Sequence, residues 1–215
     1  MFDWSYAWEI LPDLLRGFVV TVQATLLGMT LALVLGIVWA ILLRGKRPLR
    51  VTVYWIVQFV RSTPLLVQIF FLFFVLPDFG LVMSPLMTGV LALGLHYSAY
   101  TAEVYRAGIE SVPRGQWEAA TALNMSRVHT WRAIILPQAL APVIPALGNY
   151  LIAMFKDTPM LAAITVLEVL QIAKLAGSEH FRYLEPLTLA GLLFLTVSLV
   201  SSRFVYWLEV RFGRN

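Results

Sequence analysis

Apolar runs long enough to cross a bilayer alternate along this chain with short charged or proline-bearing breaks. No charged residue falls between Arg16 and Arg44, and Phe18 to Leu43 predicts a first spanning helix, since about 20 largely apolar residues suffice. A basic loop follows, Arg44 to Arg50, broken by Gly45 and Pro48. Val51 onward predicts a helix to about Arg61. Pro64 lacks an amide hydrogen and disfavours helical geometry at Thr63, so a bend is expected there. A second span is expected from Pro64 to Leu76, and a third from Leu86 to Ala102, ending near Glu103. Charge then rises through Arg106 to Arg132. Apolar character returns from Ala133 to Phe155, a fourth span holding Pro137, Pro142 and Pro145, which meets Lys156-Asp157 abruptly. After a short apolar piece, Thr158 to Leu167, the polar run Gln171 to Pro186 reads as a loop. Leu187 to Leu208 is the fifth span, with Arg203 near enough to its end to snorkel. The expectation is an all-α integral membrane protein of about five transmembrane helices, one domain over residues 1–215.

Composition agrees with a membrane protein. The 215 residues are 60% hydrophobic and 13% charged, with mean hydropathy +0.79. A soluble domain carries about twice that charged fraction. The net charge of +4 does not require a nucleic acid partner; it fits basic residues gathered on the cytoplasmic side. Arg44, Lys46, Arg47, Arg50, Arg106, Arg114, Arg127, Arg132, Arg211 and Arg214 fall in one set of loops. Arg16, Lys174 and Arg182 fall in the other. The richer set is expected inside, which puts the N-terminus outside and the C-terminus in the cytoplasm. The first residues carry Asp3, Glu9 and Asp13 without a basic leader, so they read as part of a retained span rather than a signal peptide. With no cysteine there is no thiolate metal site. A phosphate-binding loop needs a hydroxyl residue after Gly-Lys, whereas Gly45-Lys46 is followed by Arg47. His129 has no nucleophile or acid in register, which leaves an enzyme reading without support.

The stretch from about 106 to 136 stands apart. Glu118 to Leu123 favours a helix, Asn124 suits its C-terminal cap, and Ser126 suits the N-cap of the next helix. Ala119, Ala120 and Ala122 would give a smooth face that a groove on another protein could accept. A solvated helical loop accounts for the same residues equally well, and the residues alone leave both readings open.

The chain resembles a known family at this stretch. Glu118-Ala119-Ala120, with Asn124 at the motif's glycine position and Ile134-Ile135-Leu136-Pro137 beyond it, is similar to the signature of membrane subunits of bacterial ABC importers. Arg61 to Phe71, Tyr100 to Ala120, Leu136 to Ile152 and Lys156 to Ile164 resemble its polar amino acid permease branch, which also includes ectoine-type compatible-solute permeases. Pro159 stands where that branch more often has Ser. The resemblance implies the type I importer permease fold and a coupling helix, carried by Glu118, Ala119, Ala120, Asn124 and Ser126, that docks on a separate ATPase. It implies a second permease, identical or homologous, an extracytoplasmic solute-binding protein, and the bacterial inner membrane. No cofactor is expected in this chain; ATP and magnesium would belong to the ATPase. The alternative is a self-contained secondary transporter or channel, against which the docking loop and the lack of an internal repeat argue.

Ionisable groups inside apolar stretches mark the candidate pathway. Lys156 and Asp157 sit at a break, where freed backbone groups can bind a polar solute. Adjacent residues on a regular helix do not share a face, so both can serve only if the backbone is irregular there. Thr158 neighbours them. Gln68, Tyr100 and Asn149 add polar groups that either line a pathway or tie helices together. Arg61, Glu103 and Arg106 are expected near the inner end, as a gate contact or as structure.

Overall fold

The computed structural model describes residues 2–212; Arg214 of the expected basic tail lies outside them. The described chain is helical, with no strand. Nine α-helices run in order. They are α1 (Trp4–Leu42), α2 (Arg47–Ser62), α3 (Leu65–Phe70), α4 (Pro85–Glu110), α5 (Arg114–Ala122), α6 (Arg127–Thr130), α7 (Leu136–Asp157), α8 (Val169–Glu179) and α9 (Leu184–Phe212). A π-turn (Phe71–Val75) and a 3-10 turn (Leu76–Phe79) extend α3. A second π-turn (Trp131–Ile135) joins α6 to α7, and a 3-10 segment (Thr158–Ile164) follows α7.

Among the described residues, Trp4–Leu42, the run Arg127–Ile164 and Leu184–Arg211 are long and apolar enough to cross a membrane. Arg47–Ser62 and Leu65–Phe79 pass the same test only when taken together, and they are bent by 103° at the break between them. The third expected span, α4, has 26 residues. That is about 39 Å of helix against a bilayer core of about 30 Å. Its middle carries His96, Tyr97, Ser98, Tyr100 and Thr101, which lowers its hydropathy. It can hold them because α1, α2, α3 and α7 pack around it and keep much of it from lipid.

α1 packs along α4 more extensively than any other pair of elements does. Small residues make this possible. A Cβ at Gly36 would collide with the Thr101 hydroxyl, which itself donates to the Ala32 carbonyl at 2.8 Å. Gly36→Val is therefore expected to force the helices apart and to destabilise the fold by about 1–3 kcal/mol, read as a lower thermal midpoint in detergent.

Three boundaries differ from the expectation. α1 starts at Trp4 rather than Phe18. Tyr6, Ala7, Ile10, Leu14 and Gly17 form a buried stripe at helical spacing, while Glu9, Asp13 and Arg16 stay exposed. α4 runs on to Glu110, its last turns held by Arg106 paired with Glu103 at 2.6 Å and with Glu110 at 2.7 Å. The expected loop at Gln171 to Pro186 is mostly α8. Glu168 caps that helix by accepting from the Leu170 and Gln171 amides, and Val169, Ala173 and Gly177, four apart, bury against the bundle. Only His180 to Tyr183 remains a connection.

A polar clasp closes the Asp3 end of the bundle. The Arg182 guanidinium meets Asp3 at 3.1 Å and Glu185 at 2.6 Å, and it lies over the Tyr6 ring. The Asp3 amide donates to Glu185 at 2.9 Å. Hydrogen bonds from the Ser5 hydroxyl, the Tyr6 amide and Arg182 hold the Asp3 carboxyl down to about 2, from 3.8. A depressed carboxyl contributes stability above its unfolded value and loses it on acidification. The thermal midpoint is therefore expected to fall as pH drops from about 4 towards about 2, and Asp3→Asn is expected to remove that component of the fall.

Candidate functional site: a polar track and an exposed helix

The Thr63-Pro64 break turns α2 by 103° against the helix that follows. Pro64 has no amide to offer the Val60 carbonyl four residues back. The Gln68 side chain takes its place, donating to Val60 O at 2.7 Å and to the Thr63 hydroxyl at 2.6 Å. The other end of the Gln68 amide lies 3.2 Å from His96 Nδ1 on α4. Gln68 thus ties α2, α3 and α4 together at the bend.

His96 belongs to an aromatic cluster with Tyr97, Tyr100 and Tyr150. The Tyr100 ring lies 5.2 Å from His96 and 5.6 Å from Tyr150, and Tyr97 lies 6.1 Å from Tyr150. A charge borders the cluster on each side. At one, Tyr97 donates its hydroxyl to Asp157 at 2.6 Å. At the other, the Arg61 guanidinium lies over the Tyr100 ring at 5.3 Å and approaches Glu103 at 3.5 Å. Glu103 pairs with Arg106, and Arg106 with Glu110. His96, Tyr100, Glu103, Arg106 and Glu110 form one polar stripe along α4, roughly 21 Å long at 1.5 Å per residue. A groove lined by Tyr54, Gln58, Arg61, Glu103 and Arg106 opens beside its lower half.

The structure separates Lys156 from Asp157. α7 stays regular to Asp157 before tightening into 3-10 geometry, so the two point apart. Asp157 is half-buried and faces α4 with Tyr150, one heptad away; Lys156 is exposed on the side of exposed Asn149. Thr158 is fully buried and donates to the Phe155 carbonyl at 2.7 Å. Asp157, Tyr100 and Gln68 therefore meet in the cluster, while Lys156, Asn149 and Thr158 lie off it. Sequence reasoning missed His96, Tyr97 and Tyr150. The i, i+4 and i+7 spacing of His96, Tyr100 and Glu103 was the available signal.

At the far end, α5 and α6 form a helix–turn–helix outside the apolar bundle. α5 ends in an αL cap: Asn124 has φ +52°, its amide donates to Thr121 O at 2.9 Å, and the Met125 amide donates to Ala120 O at 3.0 Å. Asn accepts that conformation better than most residues. Ser126 caps α6 through the His129 amide at 3.4 Å. Ala120 corrects the expected smooth face: it is 1% exposed and turned inward. Beside it, Trp117 packs edge-on against Trp131 at 5.4 Å, and the Arg44 guanidinium lies 5.7 Å from the same Trp131 ring. The outward face is Glu118, Ala119, Thr121, Ala122 and Leu123. Part of it is a shallow hollow lined by Trp117, Glu118, Thr121 and Ala122.

Residues 32–214, which hold both the polar track and the exposed helix, match the family described as binding-protein-dependent transport system inner membrane component. The chain belongs to that family. Two relatives and one solved structure extend the match. A probable amino-acid ABC transporter permease of Sinorhizobium fredii is 46% identical over 98% of this chain and 92% of its own length. An octopine transport system permease of Rhizobium radiobacter is 35% identical over 97% of this chain and 89% of its own length. The crystal structure of an amino acid ABC transporter with histidines superposes with a TM-score of 0.92 at 31% identity, covering 98% of this chain and 99% of that one. The fold is that of an ABC importer permease, and the chain is a membrane permease subunit of the amino-acid type. In this permease the helix–turn–helix stands outside the spanning bundle, and the polar track runs along α4 from half-buried His96 and Tyr100 to exposed Arg106 and Glu110.

Proposed function

We propose that the permease forms one membrane half of an importer for a polar amino acid or a related zwitterion, such as an ectoine-type compatible solute. A separate ATPase docks on α5 and drives the bundle between two states of access. ATP and magnesium reside on that ATPase; this chain contributes Glu118, Ala119 and the Asn124 turn as the contact, with Ala120 and Ser126 fixing their geometry. An extracytoplasmic binding protein delivers the solute, and a second permease, a copy or a homologue, completes the pathway. The Lys and Arg distribution supports an N-terminus outside and a C-terminus in the cytoplasm of a bacterial inner membrane.

The polar track along α4 carries the reading. A zwitterion needs a fixed anion for its ammonium and a fixed cation for its carboxylate. Asp157 and Arg61 supply these on either side of an aromatic cluster whose ring faces favour cations. The Arg61–Glu103–Arg106 group lies between this cluster and the coupling end of α4. It acts as a gate: its ion pairs exchange partners when α2 and α4 move.

The test is purification of the tagged chain from its native membrane in mild detergent, with mass spectrometry of its companions and uptake into proteoliposomes. An ATPase among the companions, with ATP-dependent accumulation of a labelled polar amino acid or ectoine-type solute, supports the proposal. Uptake that needs only an ion gradient, with no ATPase in an intact sample, supports a self-contained carrier instead.

A further inference from the structure

α2 does not behave as half of a straight span. Its axis stands 103° from that of Leu65–Phe79, so when α3 follows the bundle across the bilayer, α2 runs close to the membrane plane. Its surface divides three ways. Val53 and Val57 are buried beside Ala99 and Trp39. Leu49, Trp55, Ile56 and Phe59 form an exposed apolar side. Arg47, Arg50, Gln58 and Arg61 mark the remaining, basic side, with Val51 and Tyr54 exposed among them. An amphipathic helix of this make, basic on its polar side and aromatic on its apolar side, lies in the headgroup layer.

Charge says what the polar side meets there. Arg44, Lys46, Arg47 and Arg50 are all exposed. Among the described residues none of them is within ion-pair distance of a carboxylate. No Asp or Glu occurs between Asp13 and Asp78. The N-cap position of α2, Lys46, provides no side-chain hydrogen bond to the first amides, so the positive end of the helix dipole adds to the same cluster.

We propose that the start of α2 binds anionic phospholipid headgroups of the cytoplasmic leaflet, with Lys46, Arg47 and Arg50 on the phosphates and Leu49, Trp55, Ile56 and Phe59 among the acyl chains. The orientation rests on the importer reading; the binding itself does not. The lipid anchors α2 beside the Arg61–Glu103 contact. It thereby sets how easily the proposed gate moves.

The full complex, as purified, is titrated in detergent with dioleoyl phosphatidylglycerol or dioleoyl phosphatidylcholine, and followed by native mass spectrometry and thermal midpoint. Phosphatidylglycerol is expected to remain bound and to raise the midpoint, with phosphatidylcholine far weaker. Lys46→Gln with Arg47→Gln should weaken phosphatidylglycerol binding on the order of tenfold and leave the lipid-free midpoint unchanged. Lys46→Arg with Arg47→Lys should keep the binding, which separates lost charge from a damaged helix. Equal response to both lipids, or undiminished binding in the double glutamine variant, overturns the proposal. So does full competition by glycerol 3-phosphate, which would mark a soluble-anion site. Loss of permease dimers, rather than of lipid, in the glutamine variant would make a second copy the occupant and also overturn it. Neither readout uses ATP or solute, so failure of the lipid site and failure of the importer reading give different results.

Discussion

Asp157→Asn is expected to reduce solute uptake about 10- to 100-fold while the chain stays folded, the range that follows from losing a charged hydrogen bond in a half-buried site. The carboxylate sits where α7 tightens into 3-10 geometry and accepts the Tyr97 hydroxyl at 2.6 Å. An Asn side chain keeps an oxygen for that hydroxyl, so helix packing between α4 and α7 persists. What disappears is the negative charge, and with it the counterion for an ammonium group. Tyr97→Phe complements the experiment: it leaves the charge and removes its orienting donor, so the expected loss is smaller. Unchanged uptake kinetics in Asp157→Asn, measured in proteoliposomes with the solute the wild-type complex accumulates, would remove Asp157 from the pathway.

Glu118→Arg is expected to uncouple the transporter, lowering uptake by more than about tenfold through like-charge conflict or a lost pair at the docking face. Glu118 is exposed and its neighbours hold α5 without it: the Trp117–Trp131 contact, buried Ala120 and the αL cap at Asn124 remain. A fold defect is therefore not the expected cause, and an unchanged thermal midpoint checks this. Solute-stimulated ATP hydrolysis should fall with uptake. If both persist at the wild-type level, Glu118 is not part of the transmitting contact.

The spans were legible because lipid demands long apolar runs, and the Pro64 bend because proline removes an amide. The Asn124 turn was legible from a single residue type. What the sequence concealed has a common cause. The N-terminal part of α1 and all of α8 are amphipathic, so their charged faces masked helices whose buried stripes sit at Tyr6, Ile10 and Leu14, and at Val169, Ala173 and Gly177. Lys156 and Asp157 drew attention together because they are adjacent, but their geometry separates them. His96, Tyr97 and Tyr150 went unread for the opposite reason. They lie on two helices, and nothing in the linear order announces that α4 and α7 bring them together beside Asp157.

An ATPase on a separate subunit is proposed to engage the outward face of α5 while solute passes through the bundle. Site-directed cross-linking on the complex purified from native membrane tests it most directly. Ala119→Cys and Thr121→Cys, treated with a short thiol-to-amine cross-linker, should each give an adduct with the ATPase subunit, and Trp8→Cys at the opposite end of the bundle should give none. Adducts from Trp8→Cys, or none from either α5 position in a complex that still hydrolyses ATP, would contradict it.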